Sequence, residues 1–255
     1  MFKVESGANY YFHQSKILEY FNKLPETDFV SSRIYANFKE IDRIAVVTID
    51  DFWDQETESL IQKSKVPATL FSLVPRVQIG SLRTMDLGIH FNKDDGAPLA
   101  YQIKEFETRV GFVPLWNRNH RMWWRSDNLD LLYLAANGIE VDSTLAGTLP
   151  YLQVIEGRVI PIWEVPYSVY ELTMKETRKI HAAYQATRNF HLLFDKGVPL
   201  IVGCFHPLSL QEKYEFRSLL RNFIEYGKEK KYRFMSIREL FEEILLSQRE
   251  EICGT

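Results

Sequence analysis

The 255-residue sequence predicts an α/β fold, a distorted (β/α) barrel of about seven parallel strands with an N-terminal cover segment. Three observations lead there. Short β-branched runs alternate with helical patterns, which implies a parallel sheet with right-handed crossovers. Seven or eight such units in one chain favour a closed or nearly closed barrel over an open sheet. No glycine-rich phosphate fingerprint follows any strand, which argues against a dinucleotide fold.

The elements follow in order. Residues 1–42 form the cover segment, with Ile17, Leu18 and Phe21 on one face of a short helical pattern. The barrel spans 43–255. The run 44–49 predicts a buried strand, and 55–65 a helix carrying Leu60 and Ile61. Strands follow at 67–73 and 87–91, then a helix over 99–110 and a strand over 112–116. The pattern over 127–137 predicts a helix, and Gly138 suits its stop. Further strands fall at 139–142, 159–165 and 198–205, with long helices over 175–194 and 211–229. Residues 232–235 make a last strand. Ser236 and Glu239 have capping-box spacing before the closing helix.

Composition excludes several functions. A net charge of -3 carries no global basic field, so no nucleic-acid partner is expected. Cys204 and Cys253 make neither a disulfide framework nor a CxxC zinc pair. No apolar run is long enough to span a membrane, and the start lacks a signal-peptide core, so a cytoplasmic location is expected. No Gly-x-Ser-x-Gly elbow is present, which disfavours a serine hydrolase.

In a barrel, chemistry collects where strands end. The first strand ends in Asp50-Asp51, whose side chains point to opposite sides of an extended chain. One carboxylate can bind a metal while the other acts as a base, or the pair can cap a helix. His90 ends the third strand, and Asp94 follows at a spacing of four. Residues 116–125 then crowd Trp116, Arg118, His120, Arg121, Trp123, Trp124 and Arg125 together. Glu164 ends another strand, and His206 follows a buried run at a position suited to a general acid. Cys204, inside that run, is expected to behave as a small hydrophobe.

In this order the motifs resemble the polysaccharide deacetylase family, carbohydrate esterases with a NodB-type barrel. Thr48-Ile49-Asp50-Asp51 matches its first motif, and Val66-Pro67-Ala68-Thr69-Leu70-Phe71 the strand that follows. His90 matches the second motif, although Asp94 stands where the family has a second His. Residues 118–125 occupy the arginine loop without its Pro-Tyr. Residues 138–144 resemble the next segment, and His206 matches the last motif. The resemblance covers roughly residues 43–245.

It implies a metal-dependent N-deacetylase. Asp51 and His90 would hold a divalent ion, zinc in such a donor set, with Asp94 or His120 as third ligand. Asp50 would be the general base, oriented by Arg118 or Arg121, and His206 would protonate the departing amine. The implied partner is an N-acetylated sugar or glycan precursor. Two rivals stand beside it: hydrolysis of another non-peptide C–N bond, such as a cyclic amide, and a non-catalytic glycan-binding barrel. The five tryptophans, Trp53, Trp116, Trp123, Trp124 and Trp163, all lie beside these motifs. With Glu164, they are expected to wall a sugar-stacking groove at the barrel mouth.

Overall fold

The computed structural model describes residues 31–38, 43–51, 55–74, 86–122, 129–155, 157–170, 190–206 and 214–254. Its strands are β1 (Ser31–Tyr35), β2 (Ile44–Asp51), β3 (Ala68–Ser72), β4 (Asp86–Phe91), β5 (Trp116–Asn119), β6 (Val141–Asp142), β7 (Tyr151–Ile155), β8 (Arg158–Glu164), β9 (Val169–Tyr170), β10 (Leu200–Phe205) and β11 (Arg233–Met235). The sheet runs β1-β7-β8-β6-β5-β4-β3-β2-β10-β9, with β11 beside β2. Every pairing from β8 through to β9 is parallel. Among the described residues only the β1–β7 and β7–β8 pairings are antiparallel. No pairing joins β9 to β1 among the described residues.

Helices α1 (Gln55–Ser64), α2 (Leu99–Val110), α3 (Leu129–Ala136) and α4 (Tyr214–Glu229) supply the crossovers. The closing helix begins at Ile237–Leu240, passes a π-helical turn at Phe241–Leu245 and ends at Leu246–Cys253. Its capping box is present, with Ser236 and Glu239 each bonded to the other's backbone N–H. No described helix is long and apolar enough to cross a membrane.

Strand alternation divides the core in two. Ala45, Val47 and Ile49 of β2 pack outward against Phe106, Leu131 and Phe223 of the helices. Ile44 and Val46 face inward with Phe71, Trp116, Val202 and Met235. The same alternation sends Thr48 and Asp50 inward along β2, Gly88 and His90 along β4, Arg118 along β5, and Cys204 along β10. A Cβ on Gly88 would meet the Phe71 ring and the Trp116 carbonyl at 2.8 Å, so only glycine fits there. The closing helix plugs the end of the barrel where strands begin: the N–H of Ile237 donates to Thr69 Oγ1 and that of Arg238 to Asp86 Oδ2.

Two expectations change. The strand predicted over 112–116 lies instead at Trp116–Asn119. Phe112, Val113 and Leu115 are exposed, whereas Asn117, Arg118 and Asn119 are buried because each finds hydrogen-bond partners. Part of the cover segment is a strand of the sheet, since Ser31–Tyr35 pairs with Tyr151–Ile155. The helical pattern over 15–21 lies outside the described residues, as does most of the helix predicted over 175–194.

Candidate functional site

Asp51, His90 and His120 come together at the ends of β2, β4 and β5, their ligating atoms all within 4.8 Å of one another. Asp51 Oδ1 lies 3.6 Å from His90 Nε2 and 3.7 Å from His120 Nε2. Asp51 has φ 75, in the left-handed region that few residues but Gly, Asn and Asp adopt. This breaks the alternation of β2, so both carboxylates of the Asp-Asp pair serve one site. Asp51 Oδ1 is buried with no hydrogen-bond partner.

The two imidazoles are held from behind. His90 Nδ1 bonds the Arg118 carbonyl at 2.8 Å, and His120 Nδ1 faces Asn92 Oδ1 at 3.2 Å. With the proton on Nδ1 in each ring, both Nε2 lone pairs face Asp51. Burial pushes His90 down to about 4, against the pull of Asp50 and Asp51, so the ring is neutral at physiological pH. An orphaned buried carboxylate oxygen and two imidazoles whose Nε2 atoms face it suit a divalent ion of the zinc type.

Asp50 lies beside this group, fully buried. Arg118 Nη1 donates to Asp50 Oδ1 at 2.8 Å and to Thr48 Oγ1 at 2.6 Å. Its Nε and Nη2 donate to the Ser143 carbonyl and Oγ, both at 2.7 Å. The guanidinium also stacks over Phe71, 4.6 Å from the ring centroid. Burial alone would push the Asp50 carboxyl up. The Arg118 charge and hydrogen bond outweigh it and hold Asp50 below the usual carboxylate range. Asp50 Oδ2 accepts from Cys204 Sγ at 3.3 Å and lies 3.8 Å from His206 Nε2.

No protein-family model matches the chain, and no curated protein sequence does. Solved structures do. A Mycobacterium smegmatis protein classed as a polysaccharide deacetylase superposes with a TM-score of 0.61 at 14% identity, over 85% of this chain and 96% of that one. The fold is that of the polysaccharide deacetylases. Puue allantoinase superposes at 0.58 with 13% identity, over 79% of this chain and 91% of that one. A CE4-family pseudoenzyme from Bacillus anthracis superposes at 0.52 with 13% identity, over 81% and 68%. The same fold thus occurs in proteins named as a deacetylase, an allantoinase and a pseudoenzyme.

Within this fold several expected site residues have other places. Asp94 stands behind His120, its Oδ2 3.8 Å from His120 Nδ1, and pairs with Arg121 at 3.2 Å. It is therefore outside the Asp51–His90–His120 group, and Arg121 faces Asp94 rather than Asp50. Trp116 and Trp163 do not wall a groove. Both are buried at the plugged end, where Trp116 Nε1 donates to Asp86 Oδ1 and Trp163 Nε1 to the Leu245 carbonyl. Alternation puts Glu164 on the helix side of β8 with Ile160 and Ile162, away from the interior. Trp53, Trp123 and Trp124 lie outside the described residues. The sequence reading missed Thr48, Asn92 and Ser143 as supports; the only signal for Ser143 was its place in the segment after the arginine loop.

Glu164 has a different role, opposite Asp142 in the β6–β8 register. Both are fully buried. Asn117 Nδ2 and Thr144 Oγ1 donate to Asp142 Oδ1, and the Leu145 N–H donates to Glu164 Oε1. Burial, the Asp142 charge and the hydrogen bond to Asp142 raise Glu164 well above the usual range; burial also raises Asp142. The pair is therefore expected to share a proton. The folded chain holds more protons here than the unfolded one, so this stabilisation is full at acid pH. It is lost as pH rises from the unfolded carboxylate value toward the raised folded one, by about 1.4 kcal/mol per pH unit. Glu164→Gln is expected to flatten that slope. Urea midpoints across the acid-to-neutral range test it, and an unaltered slope would exclude the shared proton.

Proposed function

We propose that the chain is a metal-dependent hydrolase that removes the N-acetyl group from an amino sugar or glycan precursor. The observation that carries this is the orphaned Asp51 Oδ1 facing two imidazole Nε2 atoms beside the buried Asp50–Arg118 pair. The polysaccharide-deacetylase fold supports it.

Asp51, His90 and His120 would hold the ion. When bound, such an ion polarises the acetamide carbonyl and makes water more acidic. Asp50 takes a proton from the attacking water, and Arg118 keeps its carboxylate ionised and fixed. His206, at the lip of the interior with 8% exposure, donates from Nε2 to the departing amine. Acetate and a free amino sugar leave. Hydrolysis of a cyclic amide uses the same residues in the same order. The allantoinase likeness favours keeping that as the second reading.

Acetate release from a panel of N-acetylated amino sugars, set against cyclic ureides, separates the two. Zinc-loaded protein is expected to release acetate, and chelated protein to fall to background. Turnover of ureides alone would reverse the assignment, and turnover of neither would leave the glycan-binding barrel. The ligand set has its own test. His120→Gln is expected to lose stoichiometric zinc, an effect beyond the roughly 10–100-fold that loss of a partner behind a ligand costs. Asp94→Asn, which alters only such a partner, is expected to keep zinc within that range. Equal losses in both would return Asp94 to the ligand set.

A further inference from the structure

We infer a second metal site, formed by Asp50 Oδ2, Cys204 Sγ and His206 Nε2, that takes a thiophilic divalent ion such as zinc or cadmium. It shares no ligand with the Asp51–His90–His120 group.

The three atoms lie within 4.8 Å of one another, and all three residues are buried. They come from adjacent parallel strands: Cys204 pairs with Thr48 in the β2–β10 register, two residues before Asp50 and before His206. Arg118 occupies Oδ1 of Asp50, so Oδ2 is the oxygen turned toward sulfur and imidazole. One carboxylate, one thiolate and one imidazole form a mixed donor set of the kind zinc takes, with a fourth position open. On binding, the Cys204 S–H bond breaks, its proton passes to solvent, and the thiolate forms the S–metal bond. Two anionic ligands then neutralise the ion, which limits the repulsion from Arg118. His206 is slightly exposed, which gives the ion a route in.

This geometry has a consequence for turnover that rests on the reading of Asp50 as general base. An ion on Oδ2 takes the oxygen that would receive the proton. Excess zinc is therefore expected to inhibit hydrolysis at least tenfold, while the first equivalent supports it.

Binding is tested without activity. Full-length protein carrying one equivalent of zinc is titrated with cadmium, and the ultraviolet sulfur-to-cadmium charge-transfer absorption is followed. The Asp51–His90–His120 group contains no sulfur, so cadmium exchanged into it adds no such band. The band is expected to saturate at one further equivalent, in wild type and in Cys253→Ser alike, and to be lost in Cys204→Ser. His206→Gln is expected to keep the band but need at least tenfold more cadmium, which serves if Cys204→Ser fails to fold. No band in wild type, a band lost only in Cys253→Ser, or a His206→Gln titration identical to wild type would overturn the site. Zinc-dependent acetate release without the band would sink this site and leave the deacetylase reading standing. The band without hydrolysis under any metal condition would do the reverse.

Discussion

Arg118→Met is expected to destabilise the fold by about 3–5 kcal/mol, because it leaves an uncompensated buried charge. Arg118 and Asp50 are both fully buried, 2.8 Å apart. The substitution also removes the donors that Thr48 Oγ1, Ser143 Oγ and the Ser143 carbonyl accept from, leaving the two hydroxyls only their own donations to the Gly203 and Val165 carbonyls. The pH dependence gives a sharper readout. With its folded value lowered in the wild type, Asp50 contributes stability that is present at neutral pH and lost as pH falls through that lowered value. Without Arg118, burial dominates and the sign reverses, so Arg118→Met should gain relative stability toward acid pH. Adding Asp50→Asn to Arg118→Met should restore part of the loss, since the two residues form one unit. Denaturant midpoints of the two single variants and the double variant measure this. Simple additivity would mean that the pair is not coupled.

Asp50→Asn is expected to slow acetate release by about 10²–10⁴-fold, the usual worth of a positioned general base. Zinc should remain stoichiometric, because Asp50 is not part of the proposed Asp51–His90–His120 ligand set. The amide cannot take a proton, and it leaves the buried Arg118 cation without its anion. Some stability is therefore lost alongside rate, so the rate should be measured well below the unfolding transition. Full metal-dependent activity in Asp50→Asn would remove Asp50 from the mechanism.

Strand ends flanked by buried β-branched runs were legible in the sequence. Asp50, Asp51, His90 and His206 sit at such ends, and backbone alternation alone is enough to turn most of them inward. The alternating strands and helices also specified the parallel sheet, and Ser236 with Glu239 specified the closing helix's first turn. These features are local, and local spacing encodes them.

What tertiary structure decided was contact between distant residues. That His120 rather than Asp94 stands beside Asp51 and His90 follows from contacts after β5: His120 Nδ1 faces Asn92 Oδ1, and Asp94 pairs with Arg121. The choice of Arg118 over Arg121 depends on a strand built of Trp, Asn, Arg and Asn. Hydrophobicity placed that strand four residues early, because polar residues become core only when partners far along the chain satisfy them. Trp116 and Trp163 show the converse. Beside the motifs in sequence, they lie at the plugged end of the barrel, because Trp116 begins β5 and the strand register sets Trp163 level with Val141 and hence with Trp116. The sequence by itself therefore placed Asp50 and His90 near strand ends. Which side chains share that space, and which merely fill the barrel below it, followed from packing across strands.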